Sequence, residues 1–183
     1  VASIPAGVVG ILWDDVFTKY FYNYQTVAIM LILVGIVFII VERANKNKVA
    51  KVDSIDDISY GQAFMIGVFQ MIAAIFPGTS RSGSTIVGSL MFGISRTAAA
   101  EFTFFLAVPA MFGGSAIKIL KYHGGFNSSE VALLAIGMIV AFVLSIIAIK
   151  FLMSYIKKHD FKAFGWYRIV LGVAVIGYFL ATR

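Results

Sequence analysis

A short polar stretch at residues 77–85 interrupts a long apolar segment, and its side chains are of the types that bind an oxyanion. Arg81 carries a permanent positive charge on a planar fork of donors that suits phosphate oxygens. Gly78 and Gly83 allow the backbone to turn and to approach a ligand closely, and a helix that begins near Gly83 would aim unpaired N–H groups at it. The stretch therefore predicts a phosphate as its ligand.

Hydroxyl side chains crowd around Arg81. They can donate to further phosphate oxygens, or one of them can act as a nucleophile if a base lies nearby. These residues are Ser80, Ser82, Ser84 and Thr85. The glycine spacing also resembles the nucleotide-binding loop G-x-x-x-x-G-K-[ST], but Ser84 stands where that loop requires lysine, and the preceding residues are typical of a membrane helix rather than a buried strand. Nucleotide hydrolysis is therefore excluded.

The composition places these residues in a membrane protein. Of the 183 residues, 60% are hydrophobic and 13% are charged, whereas soluble proteins have about 45–50% and about 25%. Cysteine is absent, and His123 and His159 are too few and too far apart for a zinc cluster. The basic residues behind the net charge of +6 lie mostly between apolar runs rather than in one stripe, which is typical of membrane anchoring and predicts no nucleic-acid partner.

Long apolar runs predict four membrane-spanning helices and one partial span. A spanning helix needs roughly 20 mainly apolar residues. The full spans are predicted at residues 24–41, 98–120, 131–152 and 164–181, and the partial span at residues 1–13. The chain starts at Val1 inside an apolar run without a basic segment or a cleavage site, so we expect a truncation rather than a signal peptide. The predicted fold class is all-α, a polytopic membrane helix bundle.

The segment at residues 60–95 is also apolar, but Pro77, Gly78 and Gly83 break it, and each part is too short for a normal span. It predicts a re-entrant helix–loop–helix that enters the membrane without crossing it. Such a break is tolerated at membrane depth only where protein or a water-filled cavity satisfies the backbone. The crowd of polar residues favours a functional site over a kinked helix with a packing role.

Lysine and arginine predict the orientation. The loops at residues 42–58 and 154–163 are rich in these residues and are predicted to be cytoplasmic, whereas the loops at 14–23 and 121–130 hold fewer, which places Arg183 outside. The acidic residues of the first cytoplasmic loop predict a solvated turn followed by a helix cap, without chemistry. They are Asp53, Asp56 and Asp57.

Three charged residues near span ends have structural interpretations. Glu101 is predicted to favour the positive N-terminus of its helix rather than to take part in catalysis or metal binding. Arg96 and Arg168 are predicted to extend to the membrane interface.

The sequence around the break resembles the second signature of the undecaprenyl-diphosphate phosphatases, the bacitracin-resistance family. The resemblance covers the run QMIAAIFPGTSRSGSTI at residues 70–86 and extends to residues 60–67, 93–96, 101–102 and 107–109. It starts at about Ile4 and reaches the end of the chain, which corresponds to roughly the last two-thirds of a typical member. An earlier family signature, resembling E-G-x-x-E-F-L-P-x-S-S-T-G-H, is absent from these residues.

The resemblance implies two inverted repeats, each a membrane-dipping helix pair followed by three spans, whose tips meet near the middle of the bilayer. Residues 1–183 would form one transmembrane domain, with residues 1–58 as the tail of the first repeat and its cytoplasmic loop, and residues 59–183 as the second repeat. In this arrangement Gln70 lies opposite the first glutamate of the earlier signature, and a buried amide bonded to the backbone is an equally good interpretation of it.

The resemblance further implies a multi-pass hydrolase of the bacterial plasma membrane. Its substrate would be undecaprenyl diphosphate, hydrolysed to undecaprenyl phosphate and phosphate in the recycling of the lipid carrier for peptidoglycan synthesis. A divalent cation, Mg²⁺ or Ca²⁺, would bridge phosphate oxygens, although no metal ligand set is visible in these residues. The resemblance leaves open whether the protein forms a homodimer. The implied catalytic residues are Ser80, Arg81, Ser82 and Thr85, and the implied substrate-binding residues are Gln70, Gly78, Thr79, Gly83 and Ser84.

The alternative function is a transporter or flippase for a phosphorylated lipid or anion. Inverted repeats with broken helices are equally typical of secondary transporters, so the architecture alone does not separate the two functions. Release of inorganic phosphate would support the enzyme, and movement of the headgroup without hydrolysis would support the carrier.

Overall fold

The computed structural model describes residues 1–122, 124–125 and 127–182, apart from the side chains of Asp14 and Asp15. The predictions that involve His123 and Arg183 lie outside the described residues. The α-helices of the described chain are α1 (Ile4–Phe21), α2 (Tyr24–Asn45), α3 (Tyr60–Ile75), α4 (Arg81–Met91), α5 (Arg96–Lys121), α6 (Ser128–Ile156) and α7 (Lys162–Ala181). They confirm the all-α fold class.

Four helices, α2, α5, α6 and α7, are long and apolar enough to cross a membrane by length and composition. They contain the four predicted spans, so the polytopic helix bundle is confirmed. The loop predicted at residues 14–23 is wrong, because α1 continues to Phe21. Its apolar part is Ile4–Trp13, and its last turn carries Lys19, whose charge favours a helix C-terminus.

The predicted helix–loop–helix is present as the helix pair α3 and α4. Ser59 and Gln62 form a capping box that starts α3, and the helix ends at Ile75, just before Pro77. Both helices, of 16 and 11 residues, are shorter than the roughly 20 residues that a span needs. They pack against each other, with α1 against α3, and with α2 and α5 against α4. The pair therefore places its connecting turn inside the bundle.

Helices α2 and α7 pack antiparallel to each other. Tyr24 at the start of α2 stacks on Phe179 near the end of α7, with the ring centroids 4.0 Å apart. Gly35 and Gly165 face each other so closely that a Cβ atom on either residue would lie within 2.8 Å of the other's carbonyl oxygen. Small residues at this crossing let the two backbones approach, which is how membrane helices gain packing without a hydrophobic driving force.

The loop predicted to begin at Glu42 begins later, since α2 continues to Asn45. Its following residues lie along the turn between α4 and α5, where the Lys51 N–H donates to the Gly93 carbonyl and the Ser95 N–H donates to the Val52 carbonyl, both at 2.8 Å. The aspartates of this loop lie in and beside a short 3-10 turn, Ile55–Asp57, ahead of the cap of α3. The predicted turn followed by a cap is therefore confirmed.

Glu42 is buried and joins three helices. Its carboxylate accepts hydrogen bonds from Arg96 Nε at 3.0 and 3.1 Å and from the backbone N–H of Phe161 at 3.0 Å. The prediction that Arg96 extends to the interface is wrong, because the guanidinium turns to this carboxylate instead. The pair removes the cost of an isolated charge inside the bundle, which is why α2 continues past a glutamate that was assigned to a loop.

Candidate functional site

The turn between α3 and α4, residues 76–80, contains two residues with backbone conformations that amino acids with a side chain rarely adopt. Gly78 has φ 88° and Ser80 has φ 66°, both in the left-handed region. A Cβ atom on Gly78 would lie 2.5 Å from the carbonyl oxygen of Val27 in α2, so only glycine fits there. A strained non-glycine residue such as Ser80 persists only when its surroundings hold it, and such residues cluster at functional sites.

The N-terminus of α4 faces this turn. The helix begins at Arg81, slightly earlier than the predicted start near Gly83, with Ser80 as its N-cap. The Ser80 Oγ accepts a hydrogen bond from the Gly83 N–H at 3.2 Å. The amides of Arg81 and Ser82, at the first two helical positions, have no acceptor within the helix. Together with the positive end of the helix dipole, they favour an anion at this end.

Arg81 is the first residue of α4 and is only partly buried, and its guanidinium forms no hydrogen bond or ion pair with the residues that the structure describes. A guanidinium without an internal partner at the positive end of a helix is available to a ligand. Arg81 therefore stays the first candidate to contact a phosphate, as its position in the motif predicted.

The predicted hydroxyls divide into two groups. Ser82 is exposed, and its Oγ lies 3.5 Å from the Ser80 Oγ. Thr85 is 1% exposed, and its Oγ1 contacts the Ser82 carbonyl at 3.0 Å and the Thr103 hydroxyl of α5 at 2.9 Å. Ser84 and Thr79 are buried as well. The structure thus brings Ser80 and Ser82 to the open side of α4 and turns Thr85 into its packing.

Gln70 and Glu101 are the two outlying candidates. Gln70 is 3% exposed in α3. Its side-chain amide forms no hydrogen bond with the described residues, so the interpretation as a side chain bonded to the backbone is not supported. Glu101 lies in the second turn of α5, and the first turn holds no acidic residue. Its predicted role at the helix N-terminus is wrong, because the dipole effect falls off within the first turn.

A cavity of about 220 Å³ lies beside the turn. Ser80, Ser82 and Gly83 line it from α4 and its cap, and Arg168 lines it from α7. The rest of the wall is mostly apolar and aromatic, with one hydroxyl from α5 and one from α7: Phe38, Ile86, Ala100, Thr103, Phe104, Leu152, Ile156, Phe161, Phe164 and Tyr167. The cavity thus joins a polar end, where two serines and an arginine meet, to a largely apolar body.

Arg168 was predicted to extend to the interface, and that prediction is wrong. Its Nη2 donates to the Gly78 carbonyl oxygen of the turn, and its Nε is buried without a partner among the described residues. The available signal was its position: it lies well inside α7, a candidate span, and an ionisable residue inside a span marks a site more often than packing.

The described residues of the cavity wall include no carboxylate and no imidazole. A serine nucleophile here would therefore need a base from outside this wall. In the described part of the chain there is also no group of three or more His, Cys, Asp or Glu residues that could hold a metal ion. These residues do not fit a carboxylate-bound cation, so the roles assigned below involve only amides, hydroxyls and guanidinium groups.

Comparison with known proteins assigns the chain to a family. The family described as bacitracin resistance protein BacA matches residues 1–174. An undecaprenyl-diphosphatase of Desulfitobacterium hafniense is 65% identical over 99% of this chain, and undecaprenyl-diphosphatase 1 of Clostridium acetobutylicum is 60% identical over 98% of it. An undecaprenyl-diphosphatase of Enterococcus faecalis is 57% identical over 96% of this chain. The chain spans 63% to 66% of the length of these three relatives.

Proposed function

Because the chain belongs to the bacitracin resistance protein family, we propose that it acts in the hydrolysis of undecaprenyl diphosphate to undecaprenyl phosphate and inorganic phosphate. The observation that carries the proposal is the turn between α3 and α4, where an unpaired arginine and two serines surround the N-terminus of a half-helix. Hydrolysis adds water across the bond between the two phosphoryl groups, so charge shifts to the leaving oxygen of the lipid phosphate. Fixed donors at that place stabilise the shift.

The residues at the turn divide this work. Arg81 clamps the terminal phosphoryl group with its fork of donors, and the free amides of Arg81 and Ser82 bind oxygens of the same group. Ser80 and Ser82 donate hydroxyl hydrogens from the cavity side. Gly78, Thr79, Gly83 and Ser84 shape the turn, and Thr85 positions α4 against α5. A substrate contact from the buried Gln70 remains a prediction of the family resemblance. The attacking group is water or a hydroxyl activated by a base outside the cavity wall.

The cellular setting follows from the same proposal. The protein is a multi-pass protein of the bacterial plasma membrane, with the loop after α2 in the cytoplasm, and it recycles the lipid carrier of peptidoglycan synthesis. Residues 1–58 and 59–183 belong to two inverted repeats, which the antiparallel packing of α2 and α7 supports, since the last spans of such repeats run in opposite directions. A Mg²⁺ or Ca²⁺ ion and a homodimer remain predictions of the family resemblance.

The test compares Arg81→Ala and Arg81→Lys in the full-length protein, with phosphate release from undecaprenyl diphosphate as the readout. We expect the alanine variant to lose about a thousandfold in turnover, as for other arginines that neutralise a transferring phosphoryl group. Lysine keeps the charge but loses the planar fork, so it should restore less than about a tenth of the activity.

Arg43→Ala is the matched control, because the Arg43 side chain is exposed in the last turn of α2 and has no partner among the described residues. Equal membrane insertion of all variants, checked by their amount in washed membranes, separates a lost site from a lost fold. Turnover of the alanine variant within a few-fold of the unchanged protein would show that the turn does not bind the reacting phosphate.

A further inference from the structure

Arg168 has the features of a ligand-binding group in addition to its bond to the turn. An arginine has donors on three nitrogens, and here one Nη2 hydrogen is used on the Gly78 carbonyl oxygen. The buried Nε has no acceptor, and no carboxylate pairs with the guanidinium in the described part of the chain. An unpaired cation in a membrane span is costly unless an anion arrives, so the arrangement points to a bound anion.

The place of Arg168 differs from that of Arg81. Arg168 lines the cavity together with Ser80 and Ser82, whereas Arg81 does not line it. From this polar end the cavity continues between apolar and aromatic walls that include Phe104, Phe161 and Phe164. A ligand in it would therefore present a phosphoryl group to Arg168 and carbon atoms to these rings. At about 220 Å³ the cavity is smaller than a drug-sized site of about 300–1,000 Å³, so it holds only the first carbons of a long chain.

We propose that Arg168 is a second phosphoryl-binding residue, which holds the phosphoryl group that stays attached to the lipid, while Arg81 holds the one that is released. The inference rests on the proposed function and assigns the two guanidinium groups to the two ends of the diphosphate. The bond from Arg168 to Gly78 fixes the distance between these ends, because Gly78 belongs to the turn that precedes Arg81.

Product inhibition of phosphate release separates the two roles, since the two products each carry one of the two phosphoryl groups. We expect Arg168→Gln to weaken inhibition by undecaprenyl phosphate about tenfold to a hundredfold, the range for one charge-assisted hydrogen bond, and to change inhibition by inorganic phosphate less than about twofold. Arg81→Lys should show the reverse pattern. Arg168→Lys keeps a charge and a donor for the Gly78 carbonyl. Its inhibition constant for undecaprenyl phosphate should therefore lie between those of the unchanged protein and of Arg168→Gln.

Glutamine is too short to reach the Gly78 carbonyl from this position, so it removes both the charge and the bond to the turn, and the lysine variant, which keeps both a charge and a donor, separates the two effects. Arg43→Gln, an exposed arginine, is the control and should change neither inhibition constant. A normal constant for undecaprenyl phosphate in both Arg168 variants, or an equal change in both constants, would overturn the assignment. Absence of phosphate release in the unchanged protein would instead contradict the proposed function, so the two failures are distinguishable.

Discussion

Ser82 and Thr85 carry the same hydroxyl group in adjacent turns of α4 and meet opposite surroundings. Ser82 is exposed and lines the cavity, whereas Thr85 is buried and contacts Thr103 at 2.9 Å. The sequence placed both residues among the catalytic candidates, because a hydroxyl next to an arginine has the same chemistry in either place. Which hydroxyl meets a ligand depends on where α5 packs, and residue types alone do not contain that information.

Substitution of the two hydroxyls should therefore have different effects. Thr85→Val leaves the Thr103 hydroxyl without its partner inside the protein, and we expect a loss of about 1–3 kcal/mol in the free energy of unfolding with turnover reduced only a few-fold. Ser82→Ala should leave stability within about 0.5 kcal/mol, as at other surface positions, and lower turnover by about tenfold or more. Thermal unfolding in detergent and phosphate release measure the two quantities.

Ser89→Ala is a useful companion to these variants. The Ser89 hydroxyl is buried in α4 and donates to the Thr85 carbonyl at 2.8 Å, away from the cavity wall, so its removal tests stability alone. If Thr85→Val abolished turnover while its unfolding temperature stayed unchanged, Thr85 would be a catalytic residue rather than a positioning one.

At the scale of the elements, the ends of helices were harder to predict than their existence. Each predicted span and the broken segment correspond to helices, because a long apolar run in lipid must satisfy its own backbone. The predicted C-terminal ends of α1 and α2 were wrong, because charged residues near both ends suggested a loop. Glu42 continues α2 because Arg96 and the Phe161 amide satisfy its carboxylate, and such a long-range partner is invisible in a local sequence pattern.

The Glu42 carboxylate joins the ends of α2, α5 and α7, so its loss should loosen all three. Removing one partner of a fully buried pair costs about 3–5 kcal/mol. Because the Arg96 side chain is 35% exposed, we expect Glu42→Gln to lower the free energy of unfolding by an amount near the lower limit of this range, about 3 kcal/mol. The unfolding temperature in detergent measures the loss, and Asp53→Asn, which changes an exposed carboxylate without a partner among the described residues, should have almost no effect.

Simultaneous change of Arg96 gives the sharper comparison. In the double variant Glu42→Gln with Arg96→Gln no unpaired charge is left, so part of the lost stability should return. Additive losses in the double variant would show that the ion pair is not what couples these helix ends.

At the scale of the whole molecule, the site depends on parts that are far apart in the sequence. The turn at residues 76–80 lies against Val27 of α2 and is held by Arg168 of α7, and α2 and α7 pack against each other through Gly35 and Gly165. The polar motif and the broken helix pair around it could be predicted, because they depend on local composition. The cavity could not, because it depends on how the last helix packs against the turn, and for Arg168 the sequence contained only its position inside a span, not its contact with Gly78.

The same architecture also suits a carrier, so the function of the molecule needs a measurement that separates chemistry from movement. The full-length protein is reconstituted in liposomes that contain undecaprenyl diphosphate. Two quantities are measured in the same sample: the released inorganic phosphate, and the leaflet of the bilayer in which the lipid headgroup lies. Liposomes with Arg81→Ala protein at the same density are the control. The account predicts that phosphate is released in step with loss of the diphosphate lipid and that the Arg81 variant releases almost none. Movement of intact diphosphate lipid across the bilayer without release of phosphate would contradict it.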